Sequence, residues 1–125
     1  MEFTNTTAED RQVIEAYGGG GFQVSGTAYR GSLLVFADRT LAWDVAVLAE
    51  VTAESLAPVG QAEPKVEVLL LGCGATAMPM PKSLREALRD QGVVIEAMDT
   101  GAACRTFNLL MAEDRRAAAA LIAVG

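Results

Sequence analysis

The stretch VEVLLLGCG, from Val66 to Gly74, constrains the fold more than any other part of the chain. Apart from Glu67 it is apolar on both faces of an extended backbone, and it stops at a glycine turn. It therefore reads as an interior strand covered on both sides rather than a half-exposed one. PMPKSLREALRDQG follows, with Leu84, Ala87 and Leu88 at helical spacing, Pro81 near the start and Gly92 just past the end, the order that helices favour. VVIEAM, from Val93 to Met98, is a second buried strand. Strand, helix and strand in this order predict a β-α-β unit with parallel strands and a right-handed crossover.

Beyond Asp99, Thr100 and Gly101, the stripe Ala103, Phe107, Leu110 and Met111 predicts another helix. Ala118, Leu121 and Ile122 continue the stripe past the charged insert Glu113 to Arg116, so either one long helix or two helices broken near Asp114 are expected.

The first half is punctuated differently. Val13 to Tyr17 predicts a short strand, and the four glycines Gly18 to Gly21 a positive-φ connection. A phosphate loop does not fit these glycines, because no Lys and Ser/Thr follow them. From Phe22 to Trp43, apolar runs broken at RGS and DRT predict an antiparallel meander. Trp43 is expected in the core, and Thr52 to Ala57 forms one or two helical turns, with Thr52 as N-cap and Pro58 as terminator.

The chain of 125 residues is the size of one domain. Residues 1–12 are expected to be a disordered tail, and 13–125 a single α/β domain: a three-layer sandwich with a mixed central sheet, an N-terminal β meander and a C-terminal β-α-β-α order. Hydrophobic residues make up 51% and charged ones 21%, which excludes wholesale disorder; only 6% are aromatic, so the core is aliphatic. A net charge of −6 without a Lys/Arg stripe argues against nucleic acid, while a local anion site around individual arginines stays open. The start, MEFTNTTAEDRQ, has neither a basic leader nor an apolar segment, so a cytoplasmic setting is expected. The apolar run Ala117 to Val124 is far shorter than the ~20 residues that span a bilayer.

The chain has two cysteines and no histidine, which excludes histidine triads and makes a zinc site unexpected. No metal and no cofactor is expected. Candidate binding residues fall at two loops leaving the carboxyl ends of the predicted parallel strands, where open sheets bind ligands. The first loop holds Gly72, Cys73, Gly74 and Thr76; the second holds Asp99, Thr100, Cys104, Arg105 and Asn108. The plainer reading of the first is a tight strand-to-helix turn. Asp99 or Thr100 can equally cap a helix. Arg105 opposes the helix dipole and needs an acid partner, an anionic ligand or open water. Cys104, near a helix N-terminus and beside Arg105, is either a thiol of lowered pKa or an ordinary buried cysteine. A reversible Cys73–Cys104 disulfide is a further option, although a reduced state is expected without a secretory signal.

MDTGAACRTFNLLMAEDR, the LLLGCG turn, the terminal AAAALI and Trp43 before a short acidic helix together resemble the Mth938-type domain family of unknown function, which includes the mitochondrial complex I assembly factor 3 and an adipogenesis-associated protein. The resemblance spans Val13 to Ile122. It rests on Met98, Asp99, Thr100, Arg105, Thr106, Phe107 and Asn108, and on the Glu-x-Arg of Glu113 and Arg115; Cys73 stands where relatives often carry Thr. It implies a three-layer fold with a small additional β layer, no established catalytic residues, and an assembly role.

Two functional readings follow. In the first, a non-enzymatic binding domain assists assembly of, or acts as chaperone for, a membrane protein complex, with a protein partner and membrane association only through that partner. In the second, a small-molecule or anion-binding protein or enzyme uses the crevice at the carboxyl edge of the sheet, with Arg105 holding the ligand and Cys104 as nucleophile. A homo-oligomer through an edge of the meander is a third option.

Overall fold

The computed structural model describes residues 11–125. Strands β1 (Ile14–Gly18), β2 (Gly21–Val24) and β3 (Thr27–Arg30) form a three-stranded antiparallel sheet. Gly19 and Gly20, at φ +62° and +83°, make the tight β1–β2 turn in a backbone region that residues with a Cβ avoid. The expected tail lies outside the described residues except for Arg11 and Gln12, which are hydrogen-bonded to the body through Met111 and Ala37.

The chain then crosses into a second sheet. Strands β4 (Leu33–Val35) and β5 (Thr40–Ala42) pair with each other, and β4 also pairs antiparallel with β8 (Ala117–Leu121). The single meander expected from Phe22 to Trp43 is thus divided between two sheets at Gly31, whose φ is +82°. Trp43 is buried, and its indole donates to the Ser55 carbonyl at 2.9 Å. The Thr52 hydroxyl accepts from the Ser55 amide, as a cap should. Pro58 does not stop the helical turns; it lies at the start of the short α1 (Ala57–Gly60), where its missing N–H costs nothing.

Strand β6 (Val68–Gly72), α2 (Lys82–Arg89) and β7 (Val94–Met98) form the β-α-β unit, with β6 and β7 parallel. The five-stranded order is β5-β4-β8-β6-β7, so the sheet is mixed. β7, expected as a second buried strand, lies at the edge of the sheet with Val94 and Glu96 exposed.

The β-α-β-α order continues through α3 (Thr100–Ala112) and ends in a further strand. The predicted helical stripe at Ala118, Leu121 and Ile122 is overturned: Ala117–Leu121 is the central strand β8, parallel to β6 and antiparallel to β4. Asp114, at φ +63°, reverses the chain; its N–H bonds to the Met111 carbonyl and that of Arg115 to Leu110, closing the helix. Tertiary pairing on both sides then overrides the helix preference of alanine.

Side chains alternate across this sheet. Ala117, Ala119 and Leu121 pack with Ala103, Cys104 and Phe107 of α3, and the small sheet covers the same side through Ile14, Phe22 and Val24. Ala118, Ala120 and Ile122 face the other way, toward Leu84 and Leu88 of α2, Trp43 and Leu56. Alanines on β8 leave room for Phe107, which is fully buried.

Candidate functional site

The two loops that leave β6 and β7 meet, but they are bonded to each other. The Thr100 N–H donates to the Gly74 carbonyl at 2.8 Å, the Gly74 N–H donates to Thr100 Oγ1 at 3.0 Å, and Thr100 Oγ1 donates to the Ile122 carbonyl at 2.7 Å. The Cys73 amide bonds to Met98 and the Ile122 amide to Gly72, so the ends of β6, β7 and β8 are tied at one point. A Cβ on Gly72 would stand 3.0 Å from the Thr100 Cα, which is why the helix start can lie so close. Asp99 is the N-cap of α3, its carboxylate accepting from the Ala102 amide at 2.8 Å. Gly72, Cys73, Gly74, Asp99 and Thr100 are therefore brought together as a structural joint. Thr76 is exposed on the loop beyond it.

Cys104 is 3% exposed, and burial pushes its thiol from 9.0 up to about 12, against the opposing pull of Arg105 and with a small addition from Asp99. A thiol of lowered pKa is thus overturned: desolvation outweighs the neighbouring guanidinium. Cys73 packs on the opposite face of the sheet from Cys104, and both are free thiols. The sheet separates the two thiols, so the optional disulfide has no route.

The remaining residues open onto a different feature. Asn108 Oδ1 accepts from the Ile14 amide at 2.9 Å and its Nδ2 donates to the Ile14 carbonyl at 2.8 Å, so one side chain imitates a neighbouring strand and fastens β1 to α3. Between them runs a groove of about 310 Å³ lined by Ile14 to Tyr17 of β1 and by Cys104, Arg105 and Asn108. The Tyr17 hydroxyl closes one end, over Gly101, where a Cβ would overlap it. Arg105 is exposed at the groove, and its side chain makes no hydrogen bond or ion pair among the described residues. Its charge faces water, the third of the outcomes open to it. Tyr17 and Val13 are each 44% exposed and Leu109, on the same helix, 57%. Sequence reasoning found the helical half of this groove and missed the strand half, because no local signal ties Glu15, Ala16 and Tyr17 to residues some ninety positions away.

Among the described residues no helix is long and apolar enough to cross a membrane, and no group of three His, Cys, Asp or Glu side chains is placed to hold a metal ion.

Comparison with known proteins identifies the same architecture. Residues 14–122 match the family described as protein of unknown function DUF498/DUF598. The chain belongs to that family. It is 39% identical over 110 residues to NADH dehydrogenase [ubiquinone] 1 alpha subcomplex assembly factor 3 of Danio rerio, covering 88% of this chain and 63% of the relative. An uncharacterised Rhodobacter capsulatus protein is 36% identical, with 87% of this chain and 82% of the relative covered. The chain spans about three-fifths of the assembly factors it matches first. Among solved structures, a Bartonella henselae chain described as an outer membrane protein superposes with a TM-score of 0.86 at 38% identity, covering 94% of this chain and 98% of that one. A Mth938-like domain from Bordetella pertussis superposes at 0.79 with 29% identity, covering 98% and 91%. The family member therefore has the Mth938-like fold, with the small β layer packed on a mixed central sheet.

Proposed function

We propose that residues 13–125 work as one protein-binding domain that assists assembly of a membrane protein complex, acting from the cytoplasm and meeting the membrane only through its partner. The observation that carries this reading is the 39% identity, over 88% of this chain, to a protein named as a complex I assembly factor. The fate of the candidate chemical residues supports it: Thr100 and Asn108 are committed to backbone hydrogen bonds, and Cys104 is buried and protonated. What the β1–α3 groove offers outward is the exposed Tyr17 ring, the Glu15 carboxylate and the Arg105 guanidinium, which has no ion pair among the described residues; Tyr and Arg are residue types that anchor protein contacts.

The partner surface is the groove, with Arg105 at its rim beside Tyr17 and Leu109. Gentle affinity purification of the tagged chain from detergent-solubilised cells, followed by mass spectrometry, tests the reading. Reproducible recovery of subunits of a membrane complex is expected; recovery of the chain by itself, as monomer or homo-oligomer, contradicts it.

A further inference from the structure

A second cleft lies at the opposite end of the central sheet, where β6 and β8 begin and β4 ends. Its volume is about 400 Å³, within the range of small-ligand clefts. Among the described residues, five Lys and Arg side chains line it, namely Arg11, Arg39, Lys65, Arg115 and Arg116, but only three acids, Asp38, Glu63 and Asp114. In a chain of net charge −6 this is a local reversal of sign, assembled from four separate segments.

Internal pairing uses up only part of that charge. Arg11 pairs with Asp114 and donates to the Met111 carbonyl at 3.0 Å. Arg39 pairs with Asp38 at 2.9 Å and lies 4.2 Å over the Phe36 ring. Lys65 donates to the Gln91 carbonyl. Arg115 and Arg116 are exposed and make no side-chain hydrogen bond or ion pair among the described residues, and Glu63 is the remaining acid.

The backbone that carries these two arginines is held in place. The Arg115 amide bonds to the Leu110 carbonyl at 2.9 Å, and the Arg116 carbonyl accepts from Glu67 and Val68 at 2.9 and 3.2 Å. Two guanidinium forks are thus presented from a fixed link between α3 and β8, which lowers the ordering cost of holding an anion.

We propose that this cleft binds a small phosphate-bearing dianion. Guanidinium groups match phosphate oxygens bidentately, and the excess of two positive charges in the lining matches a dianion. The cleft opens to solvent, so binding weakens as salt is added.

The test is titration of isotope-labelled protein with inorganic phosphate at about pH 8, where it is a dianion, followed by amide NMR, with succinate and sodium chloride of equal ionic strength as parallel arms. Saturable shifts confined to residues 36–39, 63–66 and 114–117 are expected, with succinate weaker. The double variant R115Q/R116Q should weaken phosphate binding about tenfold or more, since each lost charge-assisted bond is a large share of such an affinity. R115Q alone should give an intermediate loss. R105A should leave the shifts unchanged, which separates this cleft from the proposed partner groove. Shifts reproduced by sodium chloride, undiminished in both arginine variants, or equalled by succinate would overturn the assignment.

Discussion

Thr100 shows how a residue that looks like a ligand contact can be spent on the fold. It is fully buried, and its hydroxyl both donates to Ile122 and accepts from Gly74. Thr100→Val keeps the shape and leaves the buried Ile122 carbonyl and the half-buried Gly74 amide without this partner, so a loss of about 1–3 kcal/mol is expected in urea unfolding, whereas Thr100→Ser retains most of the stability. Cys104 gives a second prediction. Its folded pKa of about 12 lies above the 9.0 of a free thiol. Between those values the unfolded chain releases the proton while the folded one keeps it, so this group's stabilisation is complete below about pH 9 and falls as pH rises toward about 12. Urea midpoints measured at increasing alkaline pH should decline less steeply in Cys104→Ala than in the native chain. The native thiol should also resist aromatic disulfide reagents until the protein is unfolded.

At the scale of elements, the strand-helix-strand reading of Val66 to Met98 succeeded because hydrophobic runs, Pro81 and Gly92 all agree locally. The run Ala117 to Leu121 misled because alanine carries a helical preference and no β-branched signal, and its strand identity comes from β4 and β6, far away in sequence. The only local clue was Asp114, which tolerates the left-handed backbone that ends α3. Because Ala119 is wholly buried beneath α3, Ala119→Leu should cost about 1–3 kcal/mol through overpacking, although a helix in the same place would welcome it. Asn108→Ala removes both bonds from α3 to Ile14. Faster hydrogen exchange at Ile14 and its β1 neighbours, with the central sheet unaffected, is the expected result.

Across the whole molecule, the carboxyl ends of β6 and β7, at the edge where open α/β sheets usually bind ligands, are tied to the end of β8 through Thr100. The accessible features include a groove between the small sheet and α3, a basic cleft at the amino ends of β6 and β8, and a pocket beside the end of β8 lined by Ser32, Trp43 and Ala123. Six of the nine candidate residues line none of these features, because sequence shows which residues begin a helix but not which distant strand packs across it. Cys104, Arg105 and Asn108 do reach the groove. The central claim, that this groove holds a protein partner, is tested most directly by comparing partner recovery among the native chain, Arg105→Ala and, as control, Arg89→Ala on the exposed side of α2. The account predicts that Arg105→Ala lowers recovery about tenfold or more while Arg89→Ala leaves it unchanged, because an arginine anchor in a contact typically carries at least that much affinity. Equal recovery with Arg105→Ala and the native chain would contradict it.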